Sequence, residues 1–304
     1  MPPAGIKLTD VFQVPSGANS SVIESDDLDI VEITADRKNQ AGAIWNTDGN
    51  MMDLTKDFKT SMYLYFGDRG EKAADGMAFV MQADKNKNKA FRTGEGARLG
   101  VWDSASYKDF GMAIMNSFAV EFDTHYNSEF DAAIPKGKNH IAWGYPGKKS
   151  TYHDEWKLIG SYRWLNHEDP IFPKNNYLSD GKWHHFVVKW DAERSTLTYQ
   201  FDTMRTISIP IDVKDVFGTS QVYWGFTGST GSDYANNRVV FEEIPELLEG
   251  ETKEKIVDQR DGKSIEGKEV HAEDVLTYEI DTQYLKGKTA WKDVFLKKKI
   301  ESLR

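Results

Sequence analysis

Ser117-Phe118-Ala119-Val120-Glu121-Phe122-Asp123-Thr124-His125-Tyr126-Asn127 is the stretch on which the fold turns. Successive side chains on a strand point to opposite faces. Phe118, Val120 and Phe122 therefore share one face, and Glu121, Asp123 and His125 share the other. Working outward, Phe186, Val188 and Trp190 form a second apolar stripe, and Leu197, Tyr199 and Phe201 a third. Strands are expected over 43–47, 61–66, 76–82, 99–103, 117–125, 182–190, 196–201, 222–226 and 238–242, each bounded by turn residues. Helical periodicity is almost absent. Two sheets with their stripes turned inward would make an all-β sandwich.

The chain has 304 residues, no cysteine, 39% hydrophobic and 28% charged residues, enough apolar content for a packed core. Its formal net charge of -10 disfavours nucleic acid as a partner. No run approaches the roughly 18 apolar residues of a membrane span, so no membrane insertion of this segment is expected. The opening Met1-Pro2-Pro3-Ala4-Gly5 has no basic-then-apolar leader and reads as a start placed on a mature chain. Near Pro245 the composition shifts. Residues 1–247 read as one domain and 248–256 as an acidic linker. Residues 257–304 read as a short β-rich segment, with Asp261-Gly262-Lys263 a turn and Val275 to Ile280 alternating. Asp212 to Gly218 reads as a turn, and Asp84 to Lys89 as a solvated loop.

Chemistry concentrates at Glu121, Asp123, Asn127, Glu129, Asp131 and His140. Carboxylates and an amide oxygen converging from a strand end and its loop are what a hard cation requires, since calcium takes about six to eight oxygens. A histidine nitrogen beside carboxylates suits a transition metal. A bare Glu-x-Asp is by itself usually a half-solvated strand face. Here six such groups fall close together on a face that would otherwise be open. Ala74 to Met81, Gly96 to Trp102 and Gly225 to Tyr234 each read as a strand flanked by small residues, where backbone N–H groups can approach a ligand. In Asp180 to His185 the paired histidines point to opposite faces and read as structural. Trp143, Trp156 and Trp164 fit core or rim packing better than an extended site.

Taken in this order, these four stretches resemble the L-type lectins, the family of legume seed lectins and secretory cargo lectins, over about Lys7 to Ile244. The resemblance implies a concanavalin-like jelly roll: two antiparallel sheets, with the short C-terminal segment outside them. It implies calcium held by Asp123, Asn127, Asp131 and the His125 carbonyl. It implies a second metal, manganese in plant lectins, held by Glu121, Asp123, Asp131 and His140. It implies a carbohydrate site made by Asp75 after a cis Ala74–Asp75 peptide, by His125 and Asn127, and by backbone N–H groups of Gly96, Ser232 and Asp233. Glycans of mannose or glucose type are the implied partners. Three departures stand out. His125 replaces the usual Phe or Tyr stacking platform, Ala132 stands where Pro is common, and the gap to His140 is longer than in plant lectins.

Val257 to Gly267 with Val275 to Ile280 resembles the opening of the Ig-like repeats in Gram-positive surface proteins. That implies a bacterial adhesin, extracellular and attached to the cell surface or wall. Two other functions compete. A sandwich-fold glycoside hydrolase would need Glu-x-Asp-x-x-Glu, and the last position here is Tyr126, so no enzyme is expected. A protein-binding adhesion module that has lost its sugar site would not need Asp75 and Asn127.

Overall fold

The computed structural model describes residues 2–8, 10–94, 96–104, 110–157, 160–246, 249–265, 271 and 274–286. In chain order the strands are β1 (Phe12–Gln13), β2 (Ser21–Glu24), β3 (Asp29–Thr34), β4 (Ala41–Asn46), β5 (Met52–Asp53) and β6 (Phe58–Tyr65). Next come β7 (Gly76–Gln82), β8 (Ser117–Asp123), β9 (His140–Gly144), β10 (Tyr152–Lys157), β11 (Gly160–Leu165) and β12 (Glu168–Ile171). The last are β13 (Trp183–Asp191), β14 (Thr196–Phe201), β15 (Ile207–Pro210), β16 (Gln221–Ser229), β17 (Asn237–Glu243), β18 (Glu249–Asp258) and β19 (Leu276–Lys286). An eight-stranded sheet runs β1-β4-β16-β7-β8-β9-β12, with β5 also on β16. A seven-stranded sheet runs β15-β14-β13-β6-β17-β3-β2. Every pairing is antiparallel. The all-β sandwich expected from the apolar stripes is what forms.

Aromatic side chains fill the space between the sheets. Phe122 of β8 meets Phe186 of β13 edge to face at 5.0 Å and Phe201 of β14 at 5.6 Å. Phe79 of β7 meets Phe186 at 5.7 Å and Phe226 of β16 at 5.7 Å, and all of these rings are buried. Edge-to-face pairs add about 0.5–1.5 kcal/mol each beyond the burial of area. β13 and β14 alternate as predicted, with Phe186, Val188, Trp190, Leu197, Tyr199 and Phe201 inward and their neighbours facing water. On that outer face His185 is held by Glu242 at 2.8 Å, whereas His184, on the same side as Phe186, stacks on Phe201 at 5.1 Å and is held by Asp202 at 2.7 Å and Asp180 at 3.0 Å.

The eight-stranded sheet differs from the expectation in one respect. β8 is buried along both faces. Ala43, Trp45, Ala78, Val80, Ala119 and Tyr223 on its outer face are covered by Leu99, Val101, Trp102, Ile114, Phe130, Tyr152 and Leu165 from the crossing loops. Residues 99–103, expected as a strand, belong to this cover. A 3-10 turn at Gly96–Arg98 leads into Leu99 (φ 49°) and Gly100 (φ 72°), and the Val101 and Trp102 N–H groups donate back to the Arg98 carbonyl at 2.8 and 2.9 Å. The alternating apolar residues there press a loop onto a sheet instead of lying within one. Asp84, expected in a solvated loop, is buried, accepting from the Met115 N–H at 2.8 Å and meeting Arg92 at 3.3 Å. The turn expected at 212–218 contains one helical turn, Val213–Val216, which Asp212 caps by accepting from the Asp215 N–H.

The chain divides into two units, Met1–Pro245 and Glu246–Arg304. In the second, β18 and β19 form a long antiparallel pair, and after β18 a turn at Asp261-Gly262-Lys263, with Gly262 at φ 66°, brings Ser264 back beside Val257. The stretch 248–256, expected as a linker, is therefore strand from Glu249 onward; its alternating charges cross to β19, as Lys255 does to Glu279 at 3.4 Å. Among the described residues no helix is long and apolar enough to cross a membrane.

Candidate functional site

The strand register builds the site. Gly76 of β7 lies opposite Asp123 of β8, and Asp123 lies opposite His140 of β9. Gly76 has φ 131°, and a Cβ there would sit 2.2 Å from the Phe122 carbonyl oxygen, so only glycine allows this approach. The Ala74–Asp75 peptide is cis, as the motif implied. Asp75 bridges two strands through its backbone: its N–H donates to the Ser229 carbonyl at 3.0 Å, and its carbonyl accepts from the Thr124 N–H at 3.0 Å.

Asp75 is 5% exposed, and its Oδ2 has no hydrogen-bond partner within the chain. Gly96 passes directly over it. A Cβ on Gly96 would lie 2.0 Å from Asp75 Oδ2, and the loop is pinned there by the Ser229 hydroxyl donating to the Gly96 carbonyl at 2.6 Å. Asp75, Gly96, His125, Asn127, Ser232 and Asp233, the six residues singled out for a ligand, line one surface depression of about 450 Å³. Ala74, Ala97, Glu129, Phe130 and Gly231 complete it. Burial, with the charges of Asp233 and Asp131 nearby, pushes the Asp75 carboxyl up to about 6, against the pull of His125.

Behind Asn127 the loop closes on itself. Asp131 Oδ2 accepts from the Asn127 N–H at 2.6 Å, and the Asp131 N–H donates to the Asn127 carbonyl at 2.8 Å. Asp123 Oδ1 accepts from the His125 N–H at 2.7 Å. Asn139 bonds the Thr124 carbonyl at 3.0 Å and accepts from the Leu178 N–H at 2.9 Å, fixing the loop base. Asp123 and Asp131 are buried, and the Asn127 Oδ1 is buried with no donor in the chain. Two carboxylates and an unpaired amide oxygen are a donor set suited to calcium.

A second cluster adjoins it. Asp123, Asp131 and His140 can each offer a ligand atom within 4.8 Å of the others, and so can Glu121, His140 and His167. His167 had no place in the sequence reading. It follows the β10–β11 hairpin, whose Leu165 N–H donates to the Phe130 carbonyl at 2.9 Å, and it precedes β12, which pairs with β9. That path sets its Nδ1 2.6 Å from Glu121 Oε1 and its Nε2 3.3 Å from Asp131 Oδ1. Burial disfavours the imidazolium, but Glu121 and Asp131 outweigh it and raise His167 to about 9. Burial likewise opposes charge on Glu121, yet His167 and His140 bring it down to about 2. Asp123 moves well upward through burial and the neighbouring Asp131 and Glu121 charges. Of the tryptophans weighed for an extended site, Trp143 is half-buried, Trp164 stacks on His153 at 4.1 Å, and the Trp156 side chain lies outside the described residues.

The family model described as the legume lectin β-barrel domain matches residues 5–243. No curated protein matches the chain in a sequence comparison. Among solved structures, the lectin from Bauhinia forficata in complex with GalNAc superposes with a TM-score of 0.55 at 16% identity, covering 79% of this chain and 94% of that one. The lectin-like defence protein arcelin-5 from Phaseolus vulgaris gives 0.54 at 13% identity, covering 78% and 93%. The metal-free form of lectin I-B4 from Griffonia simplicifolia gives 0.52 at 17%, covering 77% and 92%. With the family match spanning the whole sandwich, the chain belongs to the L-type (legume) lectin family.

Proposed function

We propose that this chain is a calcium-dependent carbohydrate-binding protein that performs no catalysis. The observation that carries the reading is Asp75. Its carboxylate is buried at the floor of a depression, one oxygen has no partner in the chain, and only a glycine fits above it. Such an oxygen is an acceptor for the hydroxyl groups of a ligand. Sugar hydroxyls fit, with Asn127 as a further polar contact and His125 as the stacking surface.

Calcium would be held by Asp123, Asn127, Asp131 and the His125 carbonyl. Its role is to fix Asn127 and the adjoining loop before the sugar arrives, which removes an ordering cost from binding. The Asp75 carbonyl bonded to Thr124 N–H links that loop to the carbohydrate carboxylate. The sugar is a neutral hexose of mannose or glucose type. The Bauhinia lectin named above carries GalNAc, so galactose-type sugars belong in the same test.

Glu121, the one carboxylate placed like a hydrolase acid, is 2% exposed and bonded to His167 at 2.6 Å. It does not line the depression, so it has no access to a glycosidic bond there. The β18–β19 segment after the sandwich supports an extracellular bacterial adhesin, attached to the cell surface or wall, that presents the lectin domain to glycans on host or neighbouring cells.

A glycan array probed in calcium and in EDTA tests this reading. Binding in calcium, lost in EDTA and lost in Asp75→Ala with the fold retained, is the expected result. Silence across the array in calcium, alongside tight binding to a host protein, would sink it in favour of a protein-binding module. Release of reducing sugar that Glu121→Gln abolishes would replace it with a hydrolase.

A further inference from the structure

We propose that the depression over Asp75 prefers a hexose carrying a protonated amino group and turns away sugars carrying carboxylate, sulfate or phosphate. The inference rests on the carbohydrate reading above, whose neutral hexose serves as the reference ligand, and adds to it a selection by charge.

Three carboxylates surround the space a sugar would occupy. Asp75 forms the floor, and Glu129 and Asp233 line the same depression. Asp75 is 5% exposed with its Oδ2 unpaired, and Gly96 and Gly231 stand over that oxygen, where a Cβ on each would come within 2.0 and 3.4 Å of it. Glu129 and Asp233 are exposed, and among the described residues neither carboxylate enters an ion pair or a hydrogen bond. Elsewhere on the sandwich exposed acids are met, Asp36 by Arg69 at 2.7 Å and Glu243 by Lys59. No lysine or arginine is among the described residues that line the depression; Arg37 and Lys38, on the loop bonded to Thr230 and Gly231, do not line it. A divalent ion held by Asp123 and Asp131 is balanced by those two carboxylates, and leaves the three lining ones uncompensated.

Chemistry then sets the preference. A hydroxyl gives a carboxylate a neutral hydrogen bond, whereas an ammonium gives a charge-assisted one, roughly twice as strong. The ammonium also brings the positive charge that the lining lacks. A sugar carboxylate or sulfate would set like charges together in a partly enclosed space, where screening is weaker than on an open surface. The formal net charge of -10 acts in the same sense at longer range.

The test uses the whole chain saturated with calcium at pH 7, with Kd values read by NMR titration. Methyl glycosides of glucose, mannose and galactose are compared, each as the neutral sugar, the 2-amino and 6-amino forms and the 6-carboxylate. In the series whose neutral sugar binds tightest, one of the amino forms is expected to bind about three- to tenfold tighter than the neutral sugar, and the carboxylate at least about tenfold more weakly. Both ratios should shrink in 1 M NaCl, where the screening length falls to about 3 Å. The amino-to-carboxylate ratio should also fall at least about threefold in Glu129→Gln and in Asp233→Asn, whatever the overall affinity of each variant. A carboxylate form that binds as tightly as the neutral sugar, amino forms that both bind more weakly than it, or ratios that neither salt nor either variant moves would overturn the inference. Should the variants fail to fold, the ratios and salt dependence of the unaltered chain decide alone. Binding of the neutral sugar without these differences refutes only the selection by charge. No binding of any form in calcium refutes the carbohydrate reading, and this inference falls with it.

Discussion

Replacing Asp75 by asparagine in calcium-free protein should make the fold more stable above neutral pH while destroying its binding. The carboxyl has an ordinary value of 3.8 and is pushed to about 6 by burial in the folded chain. A folded-state value above the unfolded one means that protonated Asp75 stabilises the fold in acid. That contribution is full below about pH 4 and is lost as the pH rises through about 6. The separation corresponds to about 3 kcal/mol, at about 1.4 kcal/mol per pH unit. An amide at this buried position gives back about 1 kcal/mol through its own unmet hydrogen bonds. The net gain at pH 8 is about 2 kcal/mol, or roughly 4–8 °C in Tm for a domain of this size. Below pH 4 only the amide's cost remains, and the variant should be about 1 kcal/mol less stable than the unaltered chain. Thermal melts of both proteins in EDTA from pH 3.5 to 8 give the curve directly. In calcium the gain should shrink, because an ion neutralising Asp131 removes one of the charges that raise Asp75. A variant that is less stable at pH 8, or a difference that does not change with pH, would refute the assignment of Asp75 as a buried carboxylate held for a ligand.

Calcium at about a hundred times its Kd should add about 2.7 kcal/mol to the stripped protein, read as a rise of roughly 5–10 °C in Tm. Asp123→Ala should abolish that calcium-dependent rise, whereas Asp75→Ala should keep it and lose only glycan binding on the array. Gly96→Ala should cut glycan affinity at least about a hundredfold by surface plasmon resonance while lowering stability by about 1–3 kcal/mol, because its Cβ would stand 2.0 Å from Asp75 Oδ2. Phe122→Ala should destabilise by about 3–5 kcal/mol in urea, as it removes a ring packed on Phe186 and Phe201.

Alternation made the inter-sheet core legible. Phe118, Val120 and Phe122, with the stripes of β13 and β14, predicted a sandwich because one polar face per strand marks the other as buried. The same rule misread Leu99 to Asp103, because a loop that presses Leu99, Val101 and Trp102 onto a sheet shows the same alternation as a strand inside one. Strands without a clean period stayed hidden. β10 and β11 mix Tyr, His, Asp, Arg and Trp, since the face that gives Tyr152 and Leu165 to the loop cover also carries the Arg163–Asp154 pair at 2.6 Å, so it shows no clean apolar stripe. β12 contains Pro170, which argues against a strand unless it lies at a sheet edge, and β12 does. His167 was illegible for a related reason. It reaches Glu121 by way of a hairpin, so no local spacing connects it to the metal motif.

That hairpin also explains how so much negative charge can be buried. Glu121, Asp123 and Asp131 lie together at 2% exposure or less, and buried carboxylates at such density require compensating charge. His167 supplies compensation to Glu121 and the near side of Asp131, which is why Glu121 stays low while Asp123, buried beside the Asp131 and Glu121 charges, is driven upward. The imbalance is therefore concentrated on the Asp123 side, where Asn127 also presents an unpaired oxygen. An arrangement that satisfies Glu121 internally and leaves Asp123 short of positive charge, beside a neutral oxygen donor, is better explained by cation binding than by folding alone. The location of that shortfall, directly behind the Asn127 that lines the depression, is what couples the ion to the ligand.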